Sequence, residues 1–161
     1  MAITVRPVEP ADLDQVTRIL TGSWGGSTLI ALGRGELVDA ATLPGYLAFD
    51  GEQAAGLVTY ASRDGAVELI TVDALIPGRG VGRALLDAVR AAAVVSGADR
   101  LWLCTTNDNT RALRFYQRYG FDLVALHRNA VDEARKLKPG IPGESDGIPI
   151  RHELELELDL G

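Results

Sequence analysis

The sequence predicts a mixed α/β (α+β) fold, with antiparallel strands first and strand–helix–strand units after them. Three observations carry this. Short apolar segments, cut by Gly- and Asp-rich turns, fill the stretch from residue 46 to residue 66. An apolar, β-branched run at 67–76 then leads through a glycine-rich turn into an amphipathic run at 81–95. A buried strand, a helix and a further strand follow between residues 101 and 127.

Residues 3–8 alternate and read as the first strand, closed by Pro7 and Pro10. Asp12 is placed to cap a helix through Leu13, Val16, Ile19 and Leu20, which Trp24-Gly25-Gly26-Ser27 breaks. Residues 27–32 read equally as strand or helix, Gly33-Arg34-Gly35 as a loop, and Pro44 closes the segment. Strands are expected at 46–49, 54–61 and 66–76, joined by the turns Asp50-Gly51-Glu52 and Arg63-Asp64-Gly65. In the helix at 81–95, Val81, Leu85, Ala88, Val89, Ala92 and Val95 share one face, with Arg83, Asp87 and Arg90 opposite. Gly97 ends it. A buried strand at 101–105 precedes a helix at 107–119, stopped by Gly120, and a strand at 121–127. A short helix at 130–137 and a Pro/Gly-rich loop at 139–149 come next. Residues 150–160 alternate strictly, with Leu154, Leu156, Leu158 and Leu160 on one face and Glu153, Glu155, Glu157 and Asp159 on the other. No repeat or long linker divides the chain, so one domain over 1–161 is expected.

The net charge of −6 argues against nonspecific nucleic-acid binding; it suits a cationic substrate such as an amine and equally fits solubility alone. No apolar run approaches the roughly 18 residues of a membrane span. No signal peptide is evident, and the single cysteine, Cys104, favours a reducing, cytoplasmic setting. The two histidines and the cysteine lie far apart in sequence, so no metal site is expected. Cys104, within an apolar strand, reads as core rather than nucleophile.

The stretch Pro77-Gly78-Arg79-Gly80-Val81-Gly82-Arg83 joins strand to helix. Such a turn presents unpaired N–H groups at a helix N-terminus, where the dipole favours an anion, for a small enzyme a phosphate. Glycines permit close approach, and Arg79 and Arg83 add charge. The spacing fits neither the Rossmann pattern nor a Walker A loop. A second signal is Asn109 followed at i+7 by Tyr116, with Ala112 between them, which on one helix face lets a ligand approach.

Together, the x-x-G-x-G turn after a strand and the later N-x-x-A-x-x-F-Y-x-x-x-G-F run resemble the GNAT superfamily of acyl-CoA N-acyltransferases. The resemblance is strongest over residues 66–121, and the order of segments extends it along nearly the whole chain. It implies a mostly antiparallel sheet of about seven strands flanked by helices, with the strands at 66–76 and 101–105 splayed apart. Acetyl-CoA would be the cosubstrate and a primary amine the acceptor. The pantetheine arm would pair with backbone at Ile70, Val72 and Asp73, and the pyrophosphate would sit on amides of Arg79, Gly80, Val81, Gly82 and Arg83. Asn109 would lie near the pantetheine end. Pro77 stands where the family usually has Gln or Arg, which removes a side-chain contact.

In that family an amine attacks the thioester directly. Tyr116 maps onto the general acid that protonates the leaving thiolate, and a backbone N–H near Val72 would stabilise the oxyanion. Glu68, two and four residues before Ile70 and Val72 on one strand face, is the candidate general base, with His127 a rival and His152 a surface residue. Trp24 and the 139–149 loop would border the acceptor site, and the acidic face at 153–159 reads as solvated. The alternative function is a noncatalytic acyl-CoA-binding regulatory module on the same fold. Pairing of two copies through sheet edges is common in this fold, and the sequence leaves a homodimer open.

Overall fold

The computed structural model describes residues 2–161. In chain order the elements are β1 (Ile3–Pro7), α1 (Leu13–Ser23), β2 (Leu29–Leu32), β3 (Glu36–Asp39), β4 (Gly45–Asp50), β5 (Gln53–Arg63), β6 (Ala66–Ala74) and α2 (Val81–Val95). They continue as β7 (Arg100–Thr106), α3 (Thr110–Tyr119), β8 (Asp122–His127), α4 (Ala130–Leu137), β9 (Glu144–Ser145), β10 (Ile148–Pro149) and β11 (Glu153–Asp159). Seven strands form one sheet in the order β1-β4-β5-β6-β7-β11-β8. Every neighbouring pair is antiparallel except β6 and β7. The expected sheet is therefore present.

Strand alternation sends side chains to two cores. On one face, Val81, Leu85, Leu86, Val89 and Ala93 of α2 and Tyr116 and Tyr119 of α3 pack on Val58, Val67, Leu69, Leu101, Leu103 and Leu156. On the other, Val16, Ile19 and Leu20 of α1 cover Leu47 and Leu57. Burying one such leucine contributes roughly 1.5–3 kcal/mol, so this packing holds both helices on the sheet.

Several elements differ from the sequence reading. The buried face of α2 runs through Leu86 and Ala93, whereas Val95, expected on it, is 88% exposed beyond the packed turns. Asp12 precedes α1 without capping it through its side chain. Its carboxylate instead accepts from Arg6 and from the Glu9 N–H, and these bonds lower its pKa to about 2. Residues 29–39 form a β2–β3 hairpin with Gly33-Arg34-Gly35 at its turn. The strand at 66–76 ends at Ala74, and the 139–149 loop contains the small β9–β10 hairpin.

One irregularity shifts the faces of β6. Thr59 pairs with Thr71 but Tyr60 pairs with Leu69, so Ile70 is an extra, bulged residue. Ile70 then packs with the α1 core and Val72 with the α2 core. The expectation that Glu68, Ile70 and Val72 share a face fails at Val72 for this reason.

Gly56 on β5 lies under the start of α2. A Cβ there would stand 2.6 Å from the Asp73 carbonyl oxygen and 2.6 Å from Val81 Cγ1. Gly56→Ala is expected to lift the first turn of α2 and to lower stability by about 1–3 kcal/mol in urea unfolding, the usual cost of overpacking.

Candidate active site

The parallel pairing of β6 and β7 covers only Ala66↔Arg100, Val67↔Leu101 and Glu68↔Trp102. Both strands continue, β6 to Ala74 and β7 to Thr106, without pairing again. The bulge at Ile70 falls just past the last shared pair, and a bulge bends its strand. The opening leaves main-chain N–H and C=O groups of β6 facing a gap, and buried groups of that kind need partners. Ile70, Val72 and Asp73 all lie on this stretch.

At the far end of β6 the glycine turn delivers the chain to α2. Gly80 is the N-cap with φ 73°, a left-handed conformation, and offers no side-chain cap. The first helical bond runs from the Ala84 N–H to the Gly80 carbonyl at 3.0 Å, so Val81, Gly82 and Arg83 have N–H groups without a partner inside the helix. A helix terminus of this kind favours an anion by geometry and dipole. The two arginines are anchored beside it. Arg79 donates to Asp50 at 3.0 Å, and the Arg83 guanidinium lies 5.4 Å from the centre of the Tyr119 ring. Gly82 has a packing reason as well, because a Cβ there would stand 3.0 Å from Phe115 Cζ on α3.

Tyr116 is 8% exposed, wedged edge-on between Phe115 and Phe121 with ring centroids at 5.3 and 5.6 Å. Burial, with the negative charge of Asp73 second, pushes its pKa above the ordinary tyrosine value. Asp73 of β6 accepts from the Trp24 indole N–H at 3.1 Å, and burial raises its own pKa despite that bond. The end of α1, the open stretch of β6 and α3 thus converge where the central strands part.

Glu68 does not join that convergence. Both its oxygens accept from the Arg34 guanidinium, at 3.0 and 2.8 Å, and its side chain is 9% exposed. Arg34 also binds Glu36 at 2.9 Å and lies 5.7 Å from the Trp102 ring centre. Glu68 sits in the last paired register, four residues and so roughly 13 Å along the strand from Val72. Both oxygens of the carboxyl that the sequence offers as a base are thus engaged by Arg34.

Asn109 also departs from expectation. It is the N-cap of α3 rather than a residue on its face. Its Oδ1 accepts from the Ala112 N–H and its Nδ2 donates to Thr105 Oγ1, both at 3.3 Å. It fixes the start of the helix that carries Tyr116. The glutamate face of β11 is not simply solvated, because Arg100 binds both Glu155 and Glu157 and lies over Trp102. His127 meets Glu155 at 2.9 Å. Cys104 is half-buried beside them, not in the core, and burial and the neighbouring glutamates push its thiol up to about 12, an inert thiol. His152 accepts the Asn129 N–H at 2.8 Å through Nδ1.

A cavity of about 520 Å³ opens between α1, β2, α4 and residues 140–150. Trp24, Ile141 and Pro142 are part of its lining. Asp108, Lys138 and Glu153 line it as well, and sequence reasoning missed all three. Asp108 follows the end of β7 and carries no motif. Glu153 was visible only as one of four alternating acids.

An extended gap between two parallel strands, ending one turn from an anion-binding helix terminus, defines a fold that takes a long ligand with phosphates at one end. The acetyltransferase (GNAT) family model matches residues 15–121, and the chain belongs to that family. A relative from Bacillus subtilis, described as uncharacterized protein YxbD, is 39% identical over 149 residues, which cover 91% of this chain and 92% of the relative. Among solved structures, yncA, a putative acetyltransferase from Salmonella typhimurium with acetyl-CoA, superposes with a TM-score of 0.71 at 19% identity, covering 100% of this chain and 95% of that one. A GNAT family acetyltransferase from Elizabethkingia anophelis with acetyl-CoA bound gives 0.68 at 21% identity, covering 98% of this chain and 97% of that one.

The Glu68–Arg34 pair has a direct test. Glu68→Gln is expected to lower stability by about 1–2 kcal/mol in urea unfolding, since Arg34 loses a charged partner but still reaches solvent. The apparent pKa values of the acetyl-transfer pH profile should stay where they are in the wild type.

Proposed function

We propose that the protein moves the acetyl group of acetyl-CoA to a primary amine by direct attack, with Tyr116 as the general acid. Acetyl-CoA supplies an activated acetyl group as a thioester. The observation that carries the reading is the unpaired stretch of β6, which ends one turn from the free amides of α2 and lies beside Tyr116. Backbone at Ile70, Val72 and Asp73 holds the pantetheine arm, and Arg79, Gly80, Val81, Gly82 and Arg83 hold the pyrophosphate mainly through main-chain N–H groups. Pro77 lies in this turn and costs little, because backbone donors carry the contact. Asn109 serves by capping the helix that positions Tyr116.

Tyr116 suits its role through burial. A tyrosine with a raised pKa stays protonated at neutral and mildly alkaline pH, so the acid form is present whenever the amine is deprotonated. A main-chain N–H near Val72 stabilises the developing oxyanion. The lone cysteine fits a cytoplasmic setting, and we read the whole chain as one catalytic domain. We extend the proposal to a homodimer paired through the β8 edge, where Leu123, Val124 and Leu126 are 49%, 44% and 53% exposed. Light scattering at a single-subunit mass would reject the dimer.

Calorimetry with acetyl-CoA is expected to show binding to the wild-type protein. Tyr116→Phe should lower kcat by about 10²–10⁴ while leaving acetyl-CoA binding nearly unchanged. Wild-type kcat should show no loss from Tyr116 ionisation up to pH ~10, where an ordinary tyrosine titrates. An unchanged kcat in a folded Tyr116→Phe protein would remove Tyr116 from the reaction.

A further inference from the structure

We propose that Cys104, His127 and Glu155 form a binding site for a divalent cation of the zinc type, held across the adjacent strands β7, β11 and β8. Cys104 and His127 lie far apart in the chain, and strand pairing brings both to the same glutamate. Cys104 of β7 stands opposite Glu155 of β11, and Glu153 of β11 stands opposite His127 of β8. Leu101, Leu103 and Leu156 point into the α2 core, so by alternation Cys104 and the β11 glutamates occupy the other face. His127 is diagonal to Glu155 there, and its Nε2 lies 2.9 Å from Glu155 Oε1. One ligand atom from each of Cys104, His127 and Glu155 lies within 4.8 Å of the other two.

These three residues line a cavity of about 190 Å³, to which Gly33 of the β2–β3 turn and Ala130 at the start of α4 also contribute. That volume holds an ion and a coordinated water, since a water takes roughly 30 Å³ in the liquid. Tetrahedral zinc with bonds of about 2.0–2.3 Å sets its ligand atoms roughly 3.3–3.8 Å apart, so a small inward rotation of the three side chains closes the site. The donor set chooses the ion. Sulfur, imidazole nitrogen and carboxylate oxygen together suit zinc, whereas magnesium and calcium take oxygen ligands. Arg100 binds Glu155 through Oε2, which leaves Oε1 turned toward His127. Glu153 lines the same cavity but accepts from the Gly33 N–H, which leaves the fourth position to water.

Binding balances as a ligand exchange. Bonds form from zinc to Cys104 Sγ, His127 Nε2 and Glu155 Oε1 as the hydrated ion gives up water. The Cys104 S–H bond breaks and its proton goes to solvent, while His127 binds as the neutral imidazole with its proton on Nδ1. A thiol that is inert as a nucleophile thereby gains a cation that stabilises its thiolate. The site also has a mechanical consequence. β8 is an edge strand, hydrogen-bonded to β11 alone among the described residues. A bound ion ties it across β11 to β7.

The test titrates the whole chain, free of affinity tags and stripped of metal, with zinc by calorimetry and with cobalt(II) by absorption. The expected result is one zinc per chain with a dissociation constant of about 1 μM or tighter. Cobalt should give a tetrahedral spectrum with a thiolate-to-cobalt charge-transfer band, and the thermal midpoint should rise with zinc concentration. Cys104 is the single cysteine of the chain, so that band reports this site without any substitution. Cys104→Ser should abolish the band, and His127→Gln and Glu155→Gln should each weaken zinc by at least about tenfold. Absence of zinc binding to the folded wild type overturns the inference, as does cobalt binding without the charge-transfer band. Unaltered zinc affinity in folded His127→Gln and Glu155→Gln proteins overturns it as well. If a variant does not fold, the wild-type cobalt spectrum decides alone.

Discussion

A central strand ordinarily hydrogen-bonds to a neighbour on both sides, and β6 gives one neighbour up. It pairs with β5 along nearly its whole length but with β7 only as far as Glu68. The rest of the site depends on that loss. The groups released along β6 can bind an extended ligand, and the gap admits it to the middle of the sheet. The bulge at Ile70 helps to part the strands and divides the side chains that follow between two cores, so one irregularity serves both the opening and its walls.

The surroundings hold the gap without closing it. On the paired side, Arg34 reaches from the β2–β3 turn to clamp Glu68, which fixes the point where the strands begin to separate. On the open side, Trp24 ties the end of α1 to Asp73. Beneath, α2 packs tightly through Gly56, and Gly82 lets Phe115 of α3 come close. That contact seats α3, which carries Tyr116, against the first turn of α2. Polar groups are placed unevenly. Arg34 pairs with Glu68 and Arg79 with Asp50, whereas Asp108 Oδ1 is without a hydrogen-bond partner among the described residues.

Much of this was legible in the chain before folding. The span of α2, the turn that precedes it, the stop at Gly120 and the strand spacing follow from local rules of periodicity, capping and glycine geometry. Those rules act over a few residues, and the sequence states them directly. The helix terminus with its free amides was legible for the same reason, since those donors are consecutive backbone groups.

The sequence by itself determined the order of elements and the phosphate-type turn, and through family motifs it singled out Tyr116. Only the tertiary structure decided which charges are free to act. Glu68 has a base-like position on its strand, yet Arg34, 34 positions away in the chain, occupies it. Asn109 has helical spacing to Tyr116, yet it caps the helix instead of lining its face. Asp108 and Glu153 carry no motif and become neighbours of one cavity only when α1, α4 and the last strand assemble. Local periodicity specifies where a side chain points along its own element. It does not specify what arrives from elsewhere to pair with it, because that partner is set by contacts between distant elements.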